Sequence, residues 1–351
     1  MPMPHPARVL STRPLRWLAI FGAPWLIAAS TPRYDWSSAD ISYLKDSPYF
    51  AEAAPSRALC RRLIDREPAP SERPDRAQTA ALRDCDSEAL LYGIGRPADP
   101  VAARRCAILE RDDEVDTPNA YFSGSGILAV AYANGWGGAR DIDRAIHMAC
   151  GIDDAASATE DRIEHLQALA GKPVAKPFAI CDDISSGASG GVCAAHHAKL
   201  REQDRQRLMA GWQRNWPAPR RAAFARTYAS MTAYAETAHD LDCYGGTAAA
   251  QCAIDGTQAD LDRFVAKIGA LLGRNPPPPV SRVERRINAA TATDRWQKQL
   301  AEMDDRTRPA FIENGRRTIA ARARFERDLL AFAATIPGVT SHQARRSFAD
   351  L

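Results

Sequence analysis

Two histidines and a cysteine show the spacing that comes closest to a metal site. Cys193 and His197 are four residues apart, which places both side chains on one face of a helix, and His196 lies beside them. A structural zinc site needs further ligands, usually from a second close pair. The chain has no C-x-x-C or H-x-x-x-H pair. We therefore predict a bridged cysteine beside two solvated histidines, and no metal.

A histidine and an aspartate close to another cysteine could activate a thiol nucleophile. His239 and Asp240 precede Cys243, but Cys252 follows nine residues later across a glycine loop, which favours a disulfide over a free thiol. The chain also lacks the G-x-S-x-G and H-E-x-x-H motifs, a phosphate-binding loop and a dinucleotide fingerprint. We predict a protein without catalytic residues or cofactors, and therefore not an enzyme.

The eight cysteines, an even number with no C-x-x-C pair, predict a disulfide framework. Cys85 and Cys106 lie at nearly equal distances on either side of a glycine turn, so an antiparallel helix pair would place them at equal height. Eight cysteines allow 105 pairings, and the other pairs are weaker expectations. These are Cys150 with Cys60, Cys181 with Cys193, and Cys243 with Cys252.

The first thirty residues have the features of a secretory signal peptide. A basic stretch with Arg8, Arg13 and Arg16 precedes an apolar run from Trp17 to Ala29, which is shorter than the roughly 20 residues that span a bilayer. The alternative is an uncleaved anchor. Without this segment the chain has 43 basic and 43 acidic residues, so its charge gives no argument for a nucleic-acid partner. We expect a periplasmic or secreted protein with no integral membrane segment after cleavage.

An internal repeat at an offset of 42 residues organises the region after the N-terminal arm. Gly93 matches Gly135, Gly95 matches Gly137, and Asp99 matches Asp141, with each aspartate placed to cap the helix that follows the glycine turn. The pattern resembles Sel-one-type helical repeats, relatives of the tetratricopeptide repeats. Two ordinary helical hairpins with similar turns are the alternative.

Helical spacing of apolar residues continues to the C-terminus, and no stretch alternates long enough to predict a sheet, so we predict an all-α fold with a short hairpin repeat region packed on a disulfide-stabilised helical domain. The predicted order is a signal peptide over 1–30, an irregular arm or linker over 31–80, repeats over 81–165, a helical region over 176–274, a proline spacer over 275–280 and a C-terminal helical region over 281–351. The last region should contain one helix from Arg282 to about Met303 and another from about Pro309 to Ala334.

Residues from 181 to about 351 resemble the LprI-type lysozyme inhibitors. The resemblance rests on the run from Cys181 to Gly187 with Cys193 behind it, on Arg286–Ala290, and on Phe325–Asp328 with the exit at Pro337–Val339. It implies a helical, disulfide-bearing envelope protein that binds lysozyme, and it implies no catalytic residues.

These observations favour a non-enzymatic protein-binding module of the cell envelope that inhibits lysozyme-like muramidases. Lysozymes are usually basic, so a chain without net charge would need a local acidic patch to bind them. Asp182 and Asp183, which also read as an acidic helix start, form one candidate; the other is the run with Glu110, Asp112, Asp113 and Glu114. The alternative is a scaffold or adaptor that holds an envelope complex through its helical repeats.

Overall fold

Helices account for all the regular secondary structure in the residues that the structure describes. The computed structural model describes residues 34–113, 121–173, 175–274, 307–349 and 351. Their helices are α1 Tyr49–Arg62, α2 Arg76–Ala81, α3 Ser87–Tyr92, α4 Pro100–Asp113, α5 Gly124–Asn134, α6 Ile142–Cys150, α7 Ala156–Ala168, α8 Gly187–Gln213, α9 Ala218–His239, α10 Ala249–Leu271, α11 Arg308–Ala333 and α12 Ser341–Ser347. These residues contain no strand, and the predicted all-α class is confirmed.

The segment 31–80 is not the irregular arm that the sequence predicts. Helix α1 lies within it and buries Ala53 and Leu59 in the core, and Trp36 ahead of it is 1% exposed. The indole N–H of Trp36 donates to the hydroxyl of Ser56 at 2.9 Å, which fixes this stretch on α1. The proline cluster at 68–74 does follow the end of α1. It indicates where a helix ends, but not whether the residues before it form a helix that packs on the core.

The first two helical hairpins, α3–α4 and α5–α6, repeat the same turn. Gly93 and Gly135 end the first helix of each hairpin in the left-handed region, with φ of 71° and 72°. The carboxylate of Asp99 accepts the amide of Ala102, and that of Asp141 accepts the amide of Arg144, each at 3.0 Å. Both predicted caps are confirmed, while the Sel-one-type assignment stays a prediction.

Four disulfides join all eight cysteines, and they follow the pairs expected from the sequence. The bridges are Cys60–Cys150, Cys85–Cys106, Cys181–Cys193 and Cys243–Cys252. The first links α1 to the end of α6 across 90 residues, so it ties the N-terminal segment to the second hairpin. Four disulfides that leave no free cysteine fit an extracytoplasmic protein in an oxidising compartment.

Two hydrophobic cores share the long helix α8. Cys193, near the start of α8, belongs to the first core with α1 and α3–α7. Met209 and Trp212, near its end, belong to the second core with α9–α11 and with Phe348 and Leu351, which follow α12. The last long helix, α11, follows the predicted bounds closely. The signal peptide, Glu114, the proline spacer and the helix predicted from Arg282 lie outside the described residues.

Within the described ranges, no helix combines the length and apolarity that crossing a membrane requires.

Candidate functional site: an acidic surface

Four carboxylates from two helices lie near one another on the first core. Glu52 comes from α1, and Glu160, Asp161 and Glu164 come from α7, which packs against α1. Glu160 and Glu164 are four residues apart, so they lie one helical turn apart on the same face of α7. We refer to these four residues as the acidic surface.

Glu160 is the unusual member, because one oxygen of its carboxylate is buried without a hydrogen-bond partner among the described residues. The residue is 8% exposed, and its Oε1 accepts no hydrogen bond from any described residue. Burial, followed by the negative charges of Glu52, Asp161 and Glu164, raises the pKa of Glu160 from its ordinary 4.5 to about 7. A buried, unpaired carboxylate costs stability. Above about pH 7 the fold therefore tolerates at Glu160 a negative charge that no described basic side chain neutralises.

Three other acidic side chains of the first core each contact a basic group. Glu67 contacts Arg111, Glu72 contacts Arg104, and Glu88 contacts His196. By contrast, none of the four acidic-surface residues makes an ion pair with a described residue. Glu160 thus differs from these three buried or half-buried acids in having no basic partner among the described residues.

The spacing of the four carboxylates suits a cationic side chain better than a metal ion. Among the described residues, the one group of three or more potential ligands close enough to share a metal is Cys85, Cys106 and Glu110. Two of those three are joined in a disulfide, which removes their thiolates. The acidic-surface carboxylates do not converge in this way, and separate carboxylates can each receive a lysine or arginine of a partner.

An exposed aromatic side chain lies next to the acidic surface. Tyr49 is 49% exposed and lies three residues before Glu52 on α1, so the two share one face of the helix. Tyrosine is enriched in protein interfaces because it supplies large contact area with a polar end. The surface therefore combines negative charge with an aromatic contact.

The predicted patch at Asp182 and Asp183 is partly engaged inside the fold. Asp182 is exposed and accepts from Nζ of Lys176 at 3.2 Å, whereas Asp183 is half-buried with Nδ1 of His165 2.9 Å from its Oδ2. The two do not begin a helix, since α8 starts at Gly187 under the cap of Ser186.

The second predicted patch is divided between interior and surface. Glu110 accepts the amide of Ser87 at 3.0 Å and that of Gly124 at 2.9 Å, so it holds the starts of α3 and α5. Asp112 is exposed and accepts from Arg73 at 2.7 Å, and Asp113 is exposed. Glu110 is therefore occupied by the fold, and a binding role for either predicted patch stays a prediction.

Of the two histidines near Cys193, His197 is exposed as expected, whereas His196 contacts other side chains of the fold. Cys193 is bridged, so its sulfur is not a free thiolate. His196 was expected to be solvated, but it is 5% exposed: its Nδ1 lies 2.7 Å from Glu88, and its ring stacks on Phe122 at 3.9 Å. His196 is buried because α8 packs this side chain against Glu88 of α3.

The arrangement around His239 excludes a thiol nucleophile at Cys243. That cysteine is bridged to Cys252, and none of the eight cysteines is free. His239 instead lies between two other carboxylates, with Nδ1 2.6 Å from Asp242 and Nε2 3.1 Å from Asp260. The contact between His239 and Asp260 therefore joins the end of α9 to α10.

The acidic surface was not predicted from the sequence. Glu160, Asp161 and Glu164 are visible as a dense acidic stretch, but Glu52 lies more than 100 residues away. The absence of a basic partner depends on which helices pack together. No protein-family model, curated protein or solved structure matches the chain.

Proposed function

We propose that this protein is a non-enzymatic binding module of the cell envelope that captures a basic protein through its acidic surface. The observation that carries the proposal is the set of four carboxylates without a basic partner, with the buried Glu160 among them. Keeping such a charge lowers stability, and a partner's cationic side chain would offset that cost on binding. Without its first thirty residues the chain has equal numbers of basic and acidic residues, so this local surface supplies the attraction.

Lysozyme-like muramidases are the partner class that we propose. They are basic, and the C-terminal half of the chain resembles the LprI-type inhibitors. The acidic surface lies on α1 and α7, outside the residues that carry this resemblance, so the two arguments are independent. A periplasmic location with a cleaved signal peptide belongs to the same proposal.

The test measures inhibition and binding of several lysozymes by the oxidised protein. We expect micromolar or tighter binding that weakens as salt rises, because exposed charges are screened. The triple variant Glu52→Gln, Asp161→Asn, Glu164→Gln should reduce affinity at least about tenfold, which corresponds to about 1.4 kcal/mol.

A matched control removes three exposed acids outside every candidate patch, Asp65→Asn, Glu236→Gln and Asp255→Asn, and so changes the net charge equally. This variant should bind as the original protein does. Equal loss in both triple variants would refute a specific role for the acidic surface. Absence of any lysozyme binding at micromolar concentration would refute the partner class and favour the adaptor alternative.

A further inference from the structure

A second candidate site is positively charged, in contrast to the acidic surface. It is a cavity of about 370 Å³ beside the helical hairpins. Arg104 and Arg105 of α4 and Arg144 of α6 line it, together with Glu72 from the loop before α2 and the Gly137–Ala139 turn. The volume lies within the range of about 300–1,000 Å³ that is typical of small-molecule sites.

The cavity wall holds the guanidinium of Arg104 in a fixed position. Its side chain is 3% exposed, and its Nη2 donates to the carbonyls of Ala131 at 3.1 Å and Ala139 at 3.0 Å. A Cβ at position 138 would approach Nη1 to 2.2 Å, so Gly138 leaves the space that the guanidinium fills. The aromatic ring of Tyr132 lies beneath the same guanidinium, 4.2 Å away.

This fixed arrangement already binds one carboxylate of the chain. Nη1 of Arg104 donates to Glu72 at 3.1 Å, the hydroxyl of Tyr132 donates to it at 3.0 Å, and Nη1 of Arg144 lies 3.4 Å away. Glu72 is therefore held by groups from α4, α5 and α6. The donors that meet here are those that recognise carboxylates in proteins generally.

Positive charge in the cavity exceeds what the chain itself balances. Arg144 also lies 3.4 Å from Asp141, so two carboxylates face three guanidiniums. Arg105 is half-buried and makes no ion pair or hydrogen bond with another described residue. A half-buried guanidinium in a cavity of this size leaves both the charge and the room for a second carboxylate.

We propose that the cavity binds a small carboxylate ligand, with Arg105 and Arg144 receiving its carboxylate beside Glu72. A free di- or tricarboxylate and the C-terminal carboxylate of a short peptide share this chemistry. The site is separate from the acidic surface and does not depend on the proposed capture of a basic protein. Planar guanidiniums favour carboxylates through paired parallel hydrogen bonds.

The experiment is calorimetric titration of the oxidised, full-length protein with citrate, succinate and tri-alanine, at constant ionic strength. Inorganic phosphate is the competing anion. We expect one site per chain for at least one carboxylate. Citrate or succinate binding without tri-alanine binding identifies free carboxylates as the source, and the reverse pattern identifies peptide termini.

Two variants change the affinity in opposite directions if the proposal holds. Arg105→Gln should weaken binding about tenfold, because it removes the unpaired guanidinium. Glu72→Gln should tighten binding, because it removes the resident negative charge. The control Arg96→Gln removes an exposed arginine outside the cavity and should leave affinity unchanged.

Val101→Phe provides a test that leaves all charges in place, since Val101 is 48% exposed and lines the cavity. The larger side chain should block binding sterically. This variant keeps the proposal testable if Glu72→Gln fails to fold. The proposal is overturned if no carboxylate binds at millimolar concentration, if phosphate binds as tightly as the carboxylates, or if Arg105→Gln and Arg96→Gln have equal effects.

Discussion

Replacing Glu160 by glutamine should stabilise the protein at alkaline pH and leave it unchanged at acid pH. The pKa of Glu160 is raised to about 7 in the folded protein, first by burial and then by Glu52, Asp161 and Glu164. The folded state therefore binds this proton more tightly than the unfolded state, whose pKa stays near 4.5. The free energy of unfolding falls as pH rises from about 4.5 to 7, and the loss persists above that range.

The size of the effect follows from that difference in pKa. Each pKa unit corresponds to about 1.4 kcal/mol, so the full shift would cost at most about 3 kcal/mol. Solvent that reaches the acidic surface screens the charges and reduces this value. We expect Glu160→Gln to raise the free energy of unfolding by about 1–3 kcal/mol at pH 8 and to leave it nearly unchanged at pH 4.

Urea unfolding followed by circular dichroism, with the disulfides intact, measures both values. Glu164→Gln is the matched control, because it removes one exposed charge of the same surface and should change stability by less than about 0.5 kcal/mol. An equal effect of Glu160→Gln at pH 4 and pH 8 would refute the reasoning, since a packing change does not depend on titration. If the proposed function holds, the stabilised variant also binds its basic partner more weakly.

Three further predictions concern the fold. Removing the long disulfide with Cys60→Ser and Cys150→Ser should lower the free energy of unfolding by about 4 kcal/mol, because it frees a 90-residue loop in the unfolded chain; a loss below about 1 kcal/mol in urea unfolding would contradict this. Gly137→Ala should lower the free energy of unfolding by about 3 kcal/mol or more, since its Cβ would approach the carbonyl oxygen of Pro100 to 2.1 Å. In the equivalent variant Gly95→Ala the Cβ meets nothing within 4 Å, so the free energy of unfolding should fall only by the left-handed backbone strain of about 1–2 kcal/mol. Comparable melting temperatures for the two glycine variants would refute the close approach. Asp141→Ala should cost about 1 kcal/mol by removing the cap of α6, and an unchanged melting temperature would argue against that cap.

The helical hairpins could be predicted from the sequence because their turns depend on a few neighbouring residues. Glycines that need a positive φ and aspartates that cap the next helix act over a few residues, so Gly93 and Gly135 with Asp99 and Asp141 mark their turns directly. The Cys85–Cys106 bridge followed from the same symmetry about the first turn. These features need no knowledge of which helices pack together.

Long-range packing explains what the sequence did not predict. The stretch that contains helix α1 was predicted to be irregular because a proline cluster follows it, yet α1 packs against α7. The acidic surface likewise depends on that contact, which brings Glu52 to Glu160. Local patterns cannot distinguish an acid that will meet an arginine from one that will not.

The shared helix α8 makes the two cores dependent on each other for unfolding. A continuous helix of 27 residues is about 40 Å long and loses its hydrogen bonds cooperatively. If the first core opened alone, the part of α8 around Cys193 would lose its packing while the part around Trp212 stayed anchored. Breaking the helix between them would add a further cost, so native-state hydrogen exchange should report one common opening free energy along both ends of α8.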